Sequence, residues 1–118
     1  MCSVTELGAD ERVVLVVVQK RSLDELSTRE LVDDVLTAAS ERAGVPIVLD
    51  LSRVRFAPSV ALGALVQLSK SLKLDGRRIA LIGLQKRVQE AIGVTQLHTV
   101  LKIYETLEQA VRALSGDH

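Results

Sequence analysis

A chain of 118 residues that is 47% hydrophobic is large enough for one buried core, too small for two, and too apolar to stay disordered. Fifteen Lys and Arg balance fifteen Asp and Glu, which excludes a general basic field for nucleic acid or an acidic membrane surface. One Phe, one Tyr and no Trp leave an aliphatic core and almost no platform on which bases could stack.

The single Cys2 rules out an internal disulfide and fits a reducing compartment. No apolar run approaches the ~20 residues that a bilayer crossing needs. The N-terminus also lacks the basic-then-apolar layout of a signal peptide. The expectation is a soluble, cytoplasmic protein, a single domain over residues 1–118 with its core between about 13 and 114. The pairs Lys20-Arg21 and Arg77-Arg78 read as solvated ends of elements.

Taken in order, Ser3–Leu7 alternates weakly and reads as an edge strand, followed by a turn at Gly8-Ala9-Asp10-Glu11. Val13–Val18 is nearly all β-branched and reads as a strand buried on both faces, forming a hairpin with the first. Ser27-Thr28-Arg29-Glu30 has the spacing of a capping box and predicts a helix start. That helix places Leu31, Val35, Ala38 and Ala39 on one face, with Asp33, Asp34 and Glu41 away from it, and Gly44 stops it. Ile47–Leu51 is a buried strand, and after Ala57-Pro58-Ser59 a helix carries Ala61, Leu65, Leu68 and Leu72 at i, i+4, i+7 and i+11. Pro58 suits the first helical turn, where its missing N–H has no partner to lose. This helix ends at Asp75-Gly76.

Ile79–Ile82 gives another buried strand, Lys86–Ile92 a short helix stopped by Gly93, and Val100–Tyr104 a short edge strand. Thr106-Leu107-Glu108-Gln109 repeats the capping pattern for a last helix through about Leu114. The order β-β-α-β-α-β-α-β-α predicts an α/β fold, a mixed sheet of four to five strands with helices packed on it.

No catalytic constellation stands out, and no cofactor is expected: there is no Gly-rich phosphate loop, no Cys or His pair at metal spacing, and no Gly-x-Ser-x-Gly elbow. His98 has the chemistry of a general base but reads better as a polar loop residue, and His118 lies in the tail. Asp24 and Asp50, each near a strand end, could share a metal, yet Asp is common there for turn reasons alone. Ser59 carries two readings. In one it is simply a helix-start residue, the N-cap itself. In the other its hydroxyl takes a phosphate, which would face unpaired amides and the positive end of the helix dipole.

The chain resembles the STAS domain family, the anti-sigma factor antagonists of bacteria. Family members read roughly Leu-Asp-Leu-Ser, a few residues, then Phe-x-Asp-Ser-Ser-Gly-Leu-Gly before an aliphatic helix. Leu49-Asp50-Leu51-Ser52 and Phe56-Ala57-Pro58-Ser59-Val60-Ala61-Leu62-Gly63 occupy those places. Leu23-Asp24 before the first helix, Gly83-Leu84 after the Ile79–Ile82 strand, and Thr95-Gln96-Leu97 with the stretch Ile103 to Ala110 extend the likeness. At the centre of the motif Pro58 stands for the family Asp, Val60 for the second Ser and Ala61 for the Gly.

The resemblance implies a non-enzymatic protein–protein interaction module that binds a kinase-type anti-sigma factor and is switched by phosphorylation of Ser59. Its implied partner surface comprises Asp24, Pro58, Ser59, Val60 and Gly63. The partner is a regulatory protein, with no nucleic acid and no membrane. A second reading is a STAS scaffold or small-ligand sensor that lacks the phospho-switch. An enzyme, argued from the loose likeness of this element order to nucleotide-binding folds, is a distant third, because order alone confers no chemistry.

Overall fold

The computed structural model describes residues 5–8, 10–94 and 101–114. Nine elements follow one another: β1 (Thr5–Leu7), β2 (Val14–Val18), α1 (Glu25–Glu41), β3 (Ile47–Asp50), α2 (Ser59–Leu74), β4 (Ile79–Ile82), α3 (Lys86–Val94), β5 (Ile103–Tyr104) and α4 (Leu107–Leu114). The five strands lie in sequence order across one sheet. β1 is antiparallel to β2, and every later pairing is parallel, with Val14 opposite Ile47 and Ile47 opposite Ile79. The predicted α/β order is the observed one.

Alternation along the strands divides the interior in two. Val14, Val16, Val18, Ile47, Leu49, Ile79 and Leu81 face α1, α2 and α3, which contribute Leu31, Val35, Leu65, Leu68, Val88 and Ile92. Val13, Val48, Ala80 and Ile82 face the other way, onto Ala110, Val111 and Leu114 of α4. The helical phases predicted for α1 and α2 hold: Leu31, Val35, Ala38 and Ala39, and Ala61, Leu65, Leu68 and Leu72, are all buried.

Several boundaries move, each for a physical reason. β2 is fully buried on one face only. Its Leu15 and Val17 are half-buried, because the second face has just the eight residues of α4 to cover it. α1 starts at Glu25, ahead of the Ser27 box, because Asp24 is its N-cap and accepts from the Ser27 amide at 2.7 Å. Ser27 and Thr28 are buried in the first turn instead, with the Thr28 hydroxyl donating to the Asp24 carbonyl. Asp34, expected away from the sheet, is half-buried and accepts from the Thr5 hydroxyl at 2.8 Å. Gly93 sits inside α3 and does not end it. Ser3, Val4 and Val100 of the predicted edge strands lie outside the described residues, and β5 is reduced to Ile103–Tyr104. Thr106 does cap α4, accepting from the Gln109 amide, while the Gln109 side chain reaches back to Glu105.

Arg77 is the largest correction. It is no solvated end: its guanidinium donates to the carbonyls of Ala39, Arg42 and Val45 at 2.6–3.0 Å. These are groups at the C-terminus of α1 and just beyond it, where four carbonyls of any helix lack an intrahelical partner. Arg42 in turn donates to the carbonyls of Asp10, Glu11 and Val13.

Leu65 and Leu68 are 2% and 3% exposed, so truncation leaves a cavity that the sheet cannot fill by shifting. Leu65→Ala and Leu68→Ala are each expected to cost about 2–5 kcal/mol in denaturant melts. Losses below about 1 kcal/mol for both would contradict this packing.

Candidate functional site

The site is built by the two segments that leave β2 and β3. Past β3, the Leu51 amide donates to the Ile82 carbonyl at 3.0 Å and buried Val54 pins the turn. Asp50 accepts from the Ser52 amide at 2.9 Å. Gly83 closes over this turn with φ +69, where an added methyl would lie 3.1 Å from Ser52 Cβ and 3.3 Å from the Asp50 carboxylate. Glycine is needed there for both reasons.

The two segments then run side by side. Ser22 and Phe56 form a parallel bridge. The Arg55 and Phe56 amides donate to the Arg21 carbonyl, and the Leu23 amide donates to the Phe56 carbonyl, at 2.7–3.1 Å. Two residues beyond each bridge partner a helix begins, with Asp24 capping α1 and Pro58 capping α2. The N-termini of α1 and α2 are thereby set next to each other on one edge of the sheet.

Their ends differ in charge. The Asp24 carboxylate accepts the Ser27 amide, and that bond first, then the Ser27 hydroxyl and the charge of Lys20, hold its carboxyl below the usual carboxylate range. Pro58 has no side-chain acceptor to offer. Only its carbonyl serves, accepting from Ala61 at 2.9 Å and Leu62 at 3.1 Å. Ser59 is therefore the first helical residue and not the cap, and it is exposed. Next to it Val60 and Phe56 are 58% and 53% exposed. Between this start and α3 lies an open, largely apolar depression of ≈ 580 Å³, lined by Phe56, Pro58, Ser59, Leu62, Arg87 and Ala91.

Of the residues singled out in the sequence, Ser59, Val60 and Gly63 are exposed in the first turn and a half of α2, half-buried Pro58 caps it, and Asp24 heads the neighbouring helix. Gly63 faces open space, since a methyl group there would touch nothing within 4 Å. The Asp24 and Asp50 carboxylates each hold a backbone amide of their own turn, that of Ser27 and that of Ser52. Among the described residues no three His, Cys, Asp or Glu come together. His98, Cys2 and His118 lie outside the described residues. Sequence reasoning missed the apolar rim, Phe56 and Leu26. One signal was available: Leu26 falls off the buried stripe of α1 and is 64% exposed.

The pattern of the STAS domain matches residues 6–110, and the chain belongs to that family. Seventy residues are 34% identical to an anti-sigma factor antagonist homologue of Thermotoga neapolitana, over 59% of this chain and 62% of the relative. The chain thus spans about three fifths of the length of the curated relatives it matches. An anti-sigma factor antagonist of Mycobacterium paratuberculosis superposes with a TM-score of 0.80 at 22% identity, covering 94% of this chain and 92% of that one. The anti-sigma factor antagonist SpoIIAA in its unphosphorylated form gives 0.74 at 19% identity, covering 97% and 98%. These two establish the shared fold. Among the described residues no helix is long and apolar enough to cross a membrane.

The charged cap has a pH signature. A carboxyl held below its unfolded value contributes stability that is complete above the unfolded pKa and disappears as pH falls through the folded one. Asp24→Asn keeps an acceptor for the Ser27 amide and removes the charge. The variant is expected to melt below the wild type at pH 7, and the two curves to converge as the pH falls below the usual carboxylate range. A gap that stays constant over that range would separate Asp24 from the effect.

Proposed function

We propose that this protein is an anti-sigma factor antagonist: a non-enzymatic module that docks a kinase-type anti-sigma factor on the start of α2 and is released when Ser59 is phosphorylated. The observation that carries the reading is the exposed Ser59 hydroxyl on the first residue of a helix whose start has no side-chain cap. It makes no hydrogen bond to any described residue, so the hydroxyl is open to modification and is not held by a base as an activated nucleophile would be. The names of the relatives support the same reading, and SpoIIAA, described as unphosphorylated, is a fold neighbour in which that modification is at issue.

A phosphate on Ser59 would add about −1.5 to −2 charges at neutral pH. The domain tolerates it, because negative charge in the first turn of a helix is favourable by ~0.3–1 kcal/mol. A docked partner does not, because the charge must be desolvated beside the apolar side chains of Val60 and Phe56, and Arg87, the one cation among the described residues lining the adjoining depression, shares it with Glu90. Gly63 points the same way. A glycine inside a helix is about 0.5–1 kcal/mol worse than alanine, and the fold here has room for the methyl. Its bare backbone suits close approach by another protein.

Two sets of variants test this with the anti-sigma factor of the source cell. Ser59→Asp is expected to leave the melting temperature unchanged or higher while weakening the complex, and Ser59→Ala to keep binding but lose the mass of one phosphate after incubation with partner and ATP. Gly63→Ala is expected to stabilise the free domain by about 0.5–1 kcal/mol and to weaken the complex. Equal affinity of wild type and Ser59→Asp, with no mass gain, would instead favour the scaffold or ligand-sensor reading. That reading draws on Pro58, which leaves no carboxylate beside the serine.

A further inference from the structure

At the opposite end of the sheet from Ser59, a cavity of ≈ 280 Å³ opens where β4 and β5 begin and α2 and α4 end. Four cationic side chains line it: Lys73, Arg77, Arg78 and Lys102. Among the described residues no carboxylate lines it, and none lies within 4.0 Å of Lys73, Arg78 or Lys102. The hydroxyl-bearing side chains of Ser69 and Tyr104 and the apolar side chains of Ile79 and Leu114 also line it.

Helix C-termini explain part of this charge. α1 ends on Arg77, Lys73 lies in the last turn of α2, and Arg78 is 3.5 Å from the final carbonyl of α4. Each such end carries about half a negative charge, so three account for roughly one and a half of the four positive charges. Asp75, the C-cap of α2, removes at most one more. A surplus of between about one and a half and two and a half charges remains, and it matches the −1.5 to −2 of a phosphate monoester better than the single charge of a carboxylate.

We propose that this cavity binds a phosphate monoester group, the phosphate held by Lys73, Arg78 and Lys102 and the organic part resting on Ile79 and Leu114. Arg77 stays on its backbone carbonyls and contributes field alone. The site is independent of Ser59, since 14 residues of α2 separate Lys73 from it, about 21 Å along the axis.

The test uses the full chain and two probes, phenyl phosphate in solution and vesicles of phosphatidylcholine with or without phosphatidic acid. Calorimetry and amide-shift titration with phenyl phosphate are expected to saturate, with shifts grouped at Ser69, Lys73, Arg78, Lys102 and Tyr104. The Lys73→Gln, Lys102→Gln double variant is expected to bind on the order of tenfold more weakly and to melt like the wild type. Lys70→Gln, which changes an exposed lysine of the same helix outside the cavity, should change nothing. Co-sedimentation with phosphatidic acid vesicles that the double variant loses would support the same site with a lipid as the source, and saturation by phenyl phosphate a soluble one. Absence of both, or an equal loss with Lys70→Gln, would overturn the proposal.

Discussion

Because β2 to β5 all point the same way, each helix between them must return antiparallel to the strands, and this constraint divides the domain into two unlike ends. Helix N-termini gather at one edge of the sheet, where amides lack acceptors. Helix C-termini gather at the other, where carbonyls lack donors. Asp24 and Pro58 serve the first edge; Arg42 and Arg77 serve the second. The proposed partner surface and the cationic cavity both follow from which of these unfilled groups the chain satisfies internally and which it leaves open.

At the carbonyl edge the chain uses arginine, whose planar guanidinium can spread several donors over several acceptors. Arg77 reaches three carbonyls and Arg42 another three, tying the end of α1 to the β1–β2 turn and to the lead-in of β3. Each buried carbonyl left without a donor would cost on the order of 1–3 kcal/mol, so these two side chains replace what water supplies at an exposed helix end. At the amide edge the chain does the reverse at Pro58. It fills α1 with a carboxylate and leaves α2 bare, so the two neighbouring helix starts differ in charge.

Strands and helical phases were legible in the sequence because they rest on local period, and Ile47–Leu51 or the Ala61–Leu72 stripe allows no second phase. Helix starts were less so. The Ser27-to-Glu30 spacing imitates a capping box, and only the bond from the Ser27 amide to the Asp24 carboxylate shows that Asp24 takes the cap. Arg77 was illegible for a different reason, as its acceptors lie 32–38 residues earlier in the chain. The exposed helix start that carries Ser59 was visible through its motif. The cationic cavity was not, because its side chains are drawn from positions between 69 and 114 and mean nothing until the sheet has assembled.

The division of helices across the sheet also sets an order of events during synthesis. One face can be sheltered once α1 to α3 have been made, as their side chains fill it. The other face, with Val48, Ala80 and Ile82, has no cover before α4 emerges. α4 is held there by three buried apolar side chains and, at its start, by Glu108 receiving Arg12 from the β1–β2 turn 96 residues earlier. Nascent chains halted before residue 107 would therefore present a strip of oily sheet to the ribosome surface and its chaperones, and that strip closes only when the last helix arrives.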